Sequence, residues 1–252
     1  MKLVVQNLAV EYEDFGKGPV MLFLHGWQDD LHTFDALFPL LSPPWRIIAL
    51  DLPGFGKSEM PKRAWRLSDF VSFVSAFLQK LDISPHVIIG HSFGGRVIIK
   101  GVAAKTFDPH KIILIAAAGR AKTRTARSLL FATVAKVGNI VTCIPPLYFW
   151  RNTLRKKLYM RAQSDYLAAG PLKETFLNII REDLIAEVRN ISVPTLLLWG
   201  SLDMQTPLSD GKTFARLIPG ATLEVYKGAG HFIHRERTHE VAQSIKNFVK
   251  QS

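Results

Sequence analysis

Short apolar runs recur along the chain, and segments with helical periodicity separate most of them. The apolar runs are five or six residues long and rich in Val, Ile and Leu, which is typical of strands. They span residues 8–13, 20–24, 46–50, 86–90, 111–116, 194–199 and 221–226. The helix-like segments span 32–41, 68–81, 93–105, 209–217 and 237–250. From residue 46 onward, this alternation predicts parallel strands joined by crossover helices, and hence an α/β fold.

Two of the runs also indicate how deeply the sheet is buried. Residues 46–50 and 195–199 are apolar at nearly every position. They lack the alternation of apolar and polar residues that is typical of a strand with one solvent-exposed face. Strands covered by helices on both faces have this pattern. The early runs, 8–13 and 20–24, are joined by the short turn Gly16–Pro19, which predicts antiparallel strands at one edge of the sheet.

One long segment interrupts the alternation of strands and helices. Residues 119–190 contain helical patterns and no strand-like run, between the runs 111–116 and 194–199. An insertion after a strand would produce this break. We therefore predict a core formed by residues 1–118 and 191–252, with residues 119–190 as an inserted helical cap, or lid, whose apolar residues mostly pack against the core.

Length and composition narrow the class of protein. A chain of 252 residues with 48% hydrophobic content can bury one large core, and a single domain with an insertion fits it. No apolar run reaches the length of a membrane-spanning helix, and the first residues turn polar too soon for a signal peptide. Cys143 is the only cysteine, so no disulfide can form within the chain. These features together favour a cytoplasmic protein.

The net charge of +11 is unevenly distributed. Ten basic residues and a single acid, Asp165, lie between Arg120 and Asp165, so this stretch holds a net charge of +9. Two interpretations stay open: a solvated helical face, or a docking surface for an acidic carrier protein or an anionic surface. The chain has no nucleic-acid-binding signature, so we expect no nucleic-acid partner.

The most informative motif is Gly90-His91-Ser92-Phe93-Gly94. A β-branched run precedes it and a helical pattern follows it, which is the context of a nucleophile elbow. A strand that turns directly into a helix forces the middle residue into a strained conformation with its side chain exposed. Gly90 and Gly94 lack the Cβ atoms that would collide in so tight a turn, and the helix N-terminus would stabilise an anion above Ser92.

Two downstream loops supply partners for a nucleophilic serine. Asp203 follows one predicted strand and His231 follows the next. Loops at the carboxyl ends of parallel strands converge, so Ser92, Asp203 and His231 form a candidate catalytic triad in that chain order. Asp183 and Glu224 are the other candidate acids.

A further loop offers an oxyanion hole. His25-Gly26-Trp27 follows the apolar run 20–24. The two backbone N–H donors are expected from Trp27 and from Phe93, the residue after the nucleophile. Gly26 would allow the loop to pass close to Ser92, and His25 is interpreted as a hydrogen-bonding brace of the loop.

These motifs, together with Asp51-Leu52-Pro53-Gly54-Phe55-Gly56, resemble those of the α/β-hydrolase superfamily over nearly the full chain. The resemblance implies an α/β-hydrolase fold, with a mostly parallel central sheet flanked by helices and an inserted helical cap. Ser92 distinguishes the chain from haloalkane dehalogenases and epoxide hydrolases, which have Asp at that position. Meta-cleavage carbon–carbon hydrolases often have Asn where this chain has His91. The resemblance favours the esterase branches.

The sequence therefore predicts a serine hydrolase that cleaves small carboxylic esters. Two alternatives remain: a carbon–carbon bond hydrolase of the meta-cleavage type, and a slow-turnover ligand receptor on a hydrolase scaffold. No H-E-x-x-H motif or Cys/His cluster is present, so no metal and no cofactor are expected.

Overall fold

The fold is built on one eight-stranded sheet. The computed structural model describes residues 1–121 and 170–250. Within them the strands are β1 (Lys2–Val5), β2 (Leu8–Phe15), β3 (Val20–Leu24), β4 (Arg46–Leu50), β5 (Val87–His91), β6 (Lys111–Ile115), β7 (Thr195–Gly200) and β8 (Thr222–Tyr226). Their spatial order is β1-β2-β4-β3-β5-β6-β7-β8. β1 and β2 run antiparallel to their neighbours, and all pairs from β4 to β8 are parallel.

Helices connect the strands and cover the sheet. The described α-helices are α1 (Phe38–Leu41), α2 (Leu67–Lys80), α3 (Phe93–Ala103), α4 (Lys173–Arg181), α5 (Ile185–Arg189), α6 (Leu208–Leu217), α7 (Ile233–Glu236) and α8 (Thr238–Lys250). Short 3₁₀ helices lie at Leu31–Phe34 and Gly170–Leu172. Helix α3 packs on β5 and against α2, whereas α1 packs against α8, and α8 contacts β7.

The central strands, β3 to β7, are almost entirely apolar because both faces of the sheet are covered there. In β3, Met21 and Phe23 point into the core beneath α1 and α8. Leu22 and Leu24 alternate with them and are equally buried. Strand β7 is buried at every position, as its uninterrupted apolar run predicts. The mostly parallel sheet with flanking helices confirms the predicted α/β-hydrolase fold.

Three local predictions need correction. The run 20–24 does not pair with 8–13: β3 lies inside the sheet, parallel to β4 and β5, and only β1 and β2 are antiparallel. The predicted helix 32–41 is divided into a 3₁₀ turn and α1, because Pro39 lacks an N–H and cannot continue a helix from the preceding turn. Strand β1 was not predicted, since it is short and largely exposed.

The chain separates into two compact units. The first comprises Met1–Arg120 and Glu182–Ser252, and contains the sheet. The second comprises Ala121–Arg181, of which helix α4 is described. Helix α5, which the sequence places in the 119–190 insertion, belongs to the first unit, where Leu184 and Val188 are fully buried. That residues 119–190 cap the site stays a prediction.

Candidate active site

Ser92 lies in a strained turn between β5 and α3. Its backbone has φ of +48° and ψ of −105°, a conformation that non-glycine residues rarely adopt. The turn is fixed by its main-chain bonds, since the Ser92 N–H donates to the carbonyl of Ile115 at 3.0 Å and the Ser92 carbonyl accepts from Ala118 at 3.0 Å. The residue as a whole is partly exposed.

Glycine is required on both sides of Ser92 because the backbone approaches other chain segments closely. A Cβ atom at Gly94 would lie 2.1 Å from the carbonyl oxygen of Leu24, at the end of β3. A Cβ atom at Gly90 would lie 2.5 Å from Ile98 Cδ1 and 2.7 Å from the Gly94 carbonyl carbon. The strand–turn–helix context expected of the motif is therefore present, with α3 beginning directly at Phe93.

Asp203 and His231 form a buried pair at the ends of β7 and β8. His231 Nδ1 lies 2.8 Å from Asp203 Oδ2, and the two side chains are only 5% and 0% exposed. A carboxylate can only accept, so Nδ1 holds the proton of the neutral imidazole and Nε2 keeps the lone pair. The arrangement leaves His231 Nε2 able to accept a proton.

The environment of Asp203 keeps it ionised. Burial by itself would raise the pKa of this carboxyl, but the hydrogen bond from His231 and the bonds from Thr206 outweigh burial and lower the pKa below its ordinary value. The carboxylate also accepts from the N–H of Gln205 at 2.8 Å and from the N–H of Thr206 at 2.9 Å. Asp203 therefore presents a fixed negative charge to the imidazole.

Thr206 is a residue of the site that sequence reasoning missed. Its hydroxyl donates to Asp203 Oδ2 at 2.8 Å and lies 3.0 Å from the Ala116 carbonyl oxygen and 3.2 Å from His231 Nδ1. Part of this arrangement could have been predicted from the sequence. An Asp whose carboxylate accepts the main-chain N–H groups two and three residues later forms a common type of turn. The contact with Ala116, at the end of β6, could not be read from the sequence.

The predicted oxyanion loop lies against the nucleophile turn. The N–H of Gly94 donates to the carbonyl of His25 at 3.0 Å. The rings of Trp27 and Phe93 meet edge to face with centroids 5.4 Å apart. A Cβ atom added to Gly26 would lie 3.6 Å from Ser92 Cβ. The residues predicted to supply the two N–H donors are thus neighbours beside Ser92.

His25 joins this loop to the next one. Its ring is fully buried; Nδ1 donates to the Gly26 carbonyl at 2.7 Å, and Nε2 accepts from the N–H of Leu52 at 2.9 Å. Burial lowers the pKa of His25, with the Gly26 hydrogen bond opposing it. Both ring nitrogens are used by main-chain groups, which is the arrangement of a structural brace.

The three triad candidates come from three different strand ends, and the structure places those ends together. Asp203 contacts His231 directly, and the ring of His91, the residue before Ser92, lies 4.7 Å from the ring of His231. The other acids contact different groups: Asp183 accepts from the N–H of Ile185, and Glu224 accepts from Ser244.

Several predictions concern residues that lie outside the described part of the chain. Of the ten basic residues in the +9 stretch, only Arg120 is described, and its guanidinium bonds Asp210 at 3.2 Å. The remaining nine, from Lys122 to Arg161, fall within 122–169. Across residues 1–121 and 170–250, no cluster of three or more His, Cys, Asp or Glu side chains could hold a metal ion. Over the same ranges, no helix is long and apolar enough to cross a bilayer.

Comparison with curated proteins finds similarity along nearly the whole chain. The uncharacterized hydrolase YugF of Bacillus subtilis is 24% identical, and the alignment covers 99% of this chain and 97% of that protein. A 2-(acetamidomethylene)succinate hydrolase of Mesorhizobium japonicum is also 24% identical, with 97% of this chain and 93% of that protein covered.

Solved structures share the fold at similar sequence distance. The enol-lactonase from Burkholderia xenovorans superposes with a TM-score of 0.75 at 21% identity, over 100% of both chains. The bromoperoxidase from Bacillus anthracis superposes with a TM-score of 0.78 at 20% identity, also over 100% of both chains. A model of the alpha/beta hydrolase family matches residues 21–244, a range that begins in β3 and includes every residue of the candidate site. With this sheet order and this match, the chain belongs to the alpha/beta hydrolase family.

Proposed function

We propose that the protein is a serine hydrolase that cleaves carboxylic esters through an acyl-enzyme. The observation that supports this most directly is the buried Asp203–His231 pair, 2.8 Å apart, beside the loop that holds Ser92 in its strained turn. A carboxylate that fixes an imidazole tautomer next to an accessible hydroxyl is the arrangement that activates serine as a nucleophile.

The reaction follows from the proton positions. His231 Nε2 accepts the hydroxyl proton as Ser92 Oγ attacks the acyl carbonyl, and Asp203 stabilises the imidazolium. The N–H groups of Trp27 and Phe93 stabilise the oxyanion in this mechanism, together with the field of the α3 N-terminus. His231 then protonates the leaving alcohol. Water attacks the acyl-enzyme with His231 again as base, which releases the acid and restores Ser92.

The first experiment measures ester hydrolysis and covalent labelling in parallel. Ser92→Ala should lower kcat/KM for a short-chain aryl ester by about 10³-fold or more, because the members of a triad act as one unit. A phosphonate probe should label the wild type and not this variant. Ser72→Ala, at an exposed position of α2, is the control and should hydrolyse and label as the wild type does. Labelling at another serine would refute the assignment.

Substrate preference and turnover kinetics separate the ester hydrolase from the two alternatives, a carbon–carbon hydrolase and a slow receptor. A carbon–carbon hydrolase would cleave a vinylogous diketone faster than any short-chain ester, in a reaction that also depends on Ser92. A slow receptor would acylate once and release product at a negligible rate, so a burst without turnover would favour it. Steady turnover of esters with no cleavage of the diketone is the result that we expect.

The charge of residues 120–165 supports a proposal about partners. A net charge of +9 on this stretch would attract an acidic carrier protein or an anionic surface that presents the ester. If so, kcat/KM for an anionic or carrier-linked ester should fall steeply with added salt, because exposed charges are screened over roughly 10 Å at 0.1 M. A small neutral ester should show little change.

A charge-reversal variant provides the matched test of this attraction. Changing Arg151, Arg155 and Lys156 to Glu should reproduce the effect of salt at low ionic strength. If kcat/KM for both substrates did not change with salt, and the variant had the same kcat/KM as the wild type, the charge would serve solubility alone.

A further inference from the structure

His91 precedes the candidate nucleophile in the chain and its ring contacts that of the candidate base, yet the proposed reaction does not use it. It is the last residue of β5, directly before Ser92, and its side chain is 1% exposed. Its Nε2 lies 3.1 Å from the carbonyl oxygen of His231. Because a carbonyl only accepts, Nε2 must hold the ring proton, and Nδ1 holds the lone pair.

The other edge of the ring faces the oxyanion loop. His91 Nδ1 is buried and, in the part of the chain that the structure describes, has no hydrogen-bond partner. A Cβ atom at Gly26 would lie 2.9 Å from Nδ1. The ring also packs against His231 at 4.7 Å and His234 at 4.5 Å, between centroids. One imidazole therefore contacts the Gly26 loop and the His231 loop while its own backbone leads into Ser92.

We propose that His91 is a positioning residue, whose Nε2–H fixes the main chain of His231 and so sets the place of its imidazole relative to Ser92. The inference rests on the proposed function, in which His231 is the base. Site residues must be held to within about 0.5 Å of the productive geometry, and an error of 1 Å can reduce the rate by about 10²-fold. A hydrogen bond to the backbone of His231 itself is a direct means of holding it.

The charge state of His91 suits this role. Burial lowers the pKa of His91 well below its ordinary value, and the neighbouring His234, His231 and Arg235 further disfavour a positive charge there. The ring therefore stays neutral when His231 becomes imidazolium. Its Nε2–H remains a donor throughout the reaction, and no proton passes between the two rings.

Two amide variants distinguish this role from simple space filling. The amide nitrogen of Gln can reach the place of histidine Nε2, whereas that of Asn reaches only as far as Nδ1. His91→Asn should lower kcat by about 10²-fold with KM within about twofold, because placement of the base is lost while substrate contacts remain. His91→Gln should recover most of that loss. Thermal unfolding midpoints show whether each variant is folded.

Nitrogen NMR of the histidines, without substrate, tests positioning independently of ester turnover. We expect His91 to be the Nε2–H tautomer in the wild type. The His231 Nδ1 proton, bonded to Asp203, should shift or broaden in His91→Asn and return to its wild-type position in His91→Gln. His239→Gln, at an exposed position of α8, is the control and should leave the His231 signal unchanged.

The outcomes for His91 and for the proposed function are separable. Ser92→Ala with wild-type activity would refute the proposed function, and the NMR comparison would still decide whether His91 holds His231. An Nδ1–H tautomer at His91 would overturn the inference. So would a His231 signal and kcat that are the same in His91→Asn as in the wild type, or a Gln variant as impaired as the Asn variant.

Discussion

The buried histidines around the site should make the protein sensitive to mild acid. Burial lowers the pKa of His234 to about 3, and lowers that of His91 well below its ordinary value. The unfolded chain has no such burial, so its histidines titrate near their ordinary value of 6.5. The stability that comes from keeping these rings neutral is complete above pH 6.5 and is lost as the pH falls toward 3.

The magnitude for His234 follows from these two values. Between pH 7 and pH 5 the unfolded state gains about 0.7 of a proton at His234 that the folded state does not bind, and integration over this range reduces the free energy of unfolding by about 1.9 kcal/mol. The lowered pKa of His91 acts in the same direction, because its buried ring also stays neutral in the fold. Carboxyls whose pKa is lowered in the fold, such as Asp203, affect stability only below about pH 4. They do not contribute to the loss of stability between pH 7 and pH 5.

The assay is urea unfolding of the wild type, His234→Gln and His239→Gln at pH 7, 6 and 5. Gln keeps an amide near His234 Nε2, which lies 2.9 Å from Thr33 Oγ1, and removes the titration. The loss of stability between pH 7 and pH 5 should be smaller by about 2 kcal/mol in His234→Gln. The exposed-site variant His239→Gln should lose as much as the wild type. An equal loss in all three proteins would refute the reasoning.

Three further changes have defined outcomes. Asp203→Asn should keep the fold but lower kcat by about 10⁴-fold, because it favours the wrong tautomer of His231; circular dichroism and ester kinetics check both parts. Thr206→Val should lower the free energy of unfolding in urea by about 1–3 kcal/mol, because it removes a buried donor to Asp203, and Thr206→Ser should restore most of it. Gly94→Ala places a Cβ atom 2.1 Å from the Leu24 carbonyl and should destabilise the fold by about 3 kcal/mol or prevent folding; an unchanged urea midpoint would contradict this contact.

The sequence predicts best those features that a few neighbouring residues determine. The Gly90–Gly94 motif specifies a strand, a turn and a helix within five residues, and the structure has this local geometry. The uninterrupted apolar runs correctly predict strands buried on both faces, because alternation is a local property. The placement of β3 was predicted wrongly, since pairing between strands depends on the whole sheet rather than on the turn Gly16–Pro19.

The polar contacts around the site could not be predicted from the sequence, because they too depend on how distant strands pair. The positions of Asp203 and His231 were predicted because each follows an apolar run. Thr206 and His91 are ordinary residues in sequence, and their contacts with Ala116 and with the His231 carbonyl exist only after distant strands have paired. The catalytic roles of the predicted residues stay predictions until the variants are measured.

The spacing of these contacts has a consequence for biosynthesis. The bond between His91 and the His231 carbonyl joins positions 140 residues apart in the chain. As the polypeptide leaves the ribosome, Ser92 and its turn are made long before β8 and the loop that follows it. In the proposed mechanism, the nascent chain therefore holds Ser92 without its base, His231, during most of its synthesis. Contacts over such long separations slow folding, because the entropy of closing a long loop must be overcome before they form. The proposed activity therefore requires the pairing of β8 with β7, the last strand pair to be synthesised.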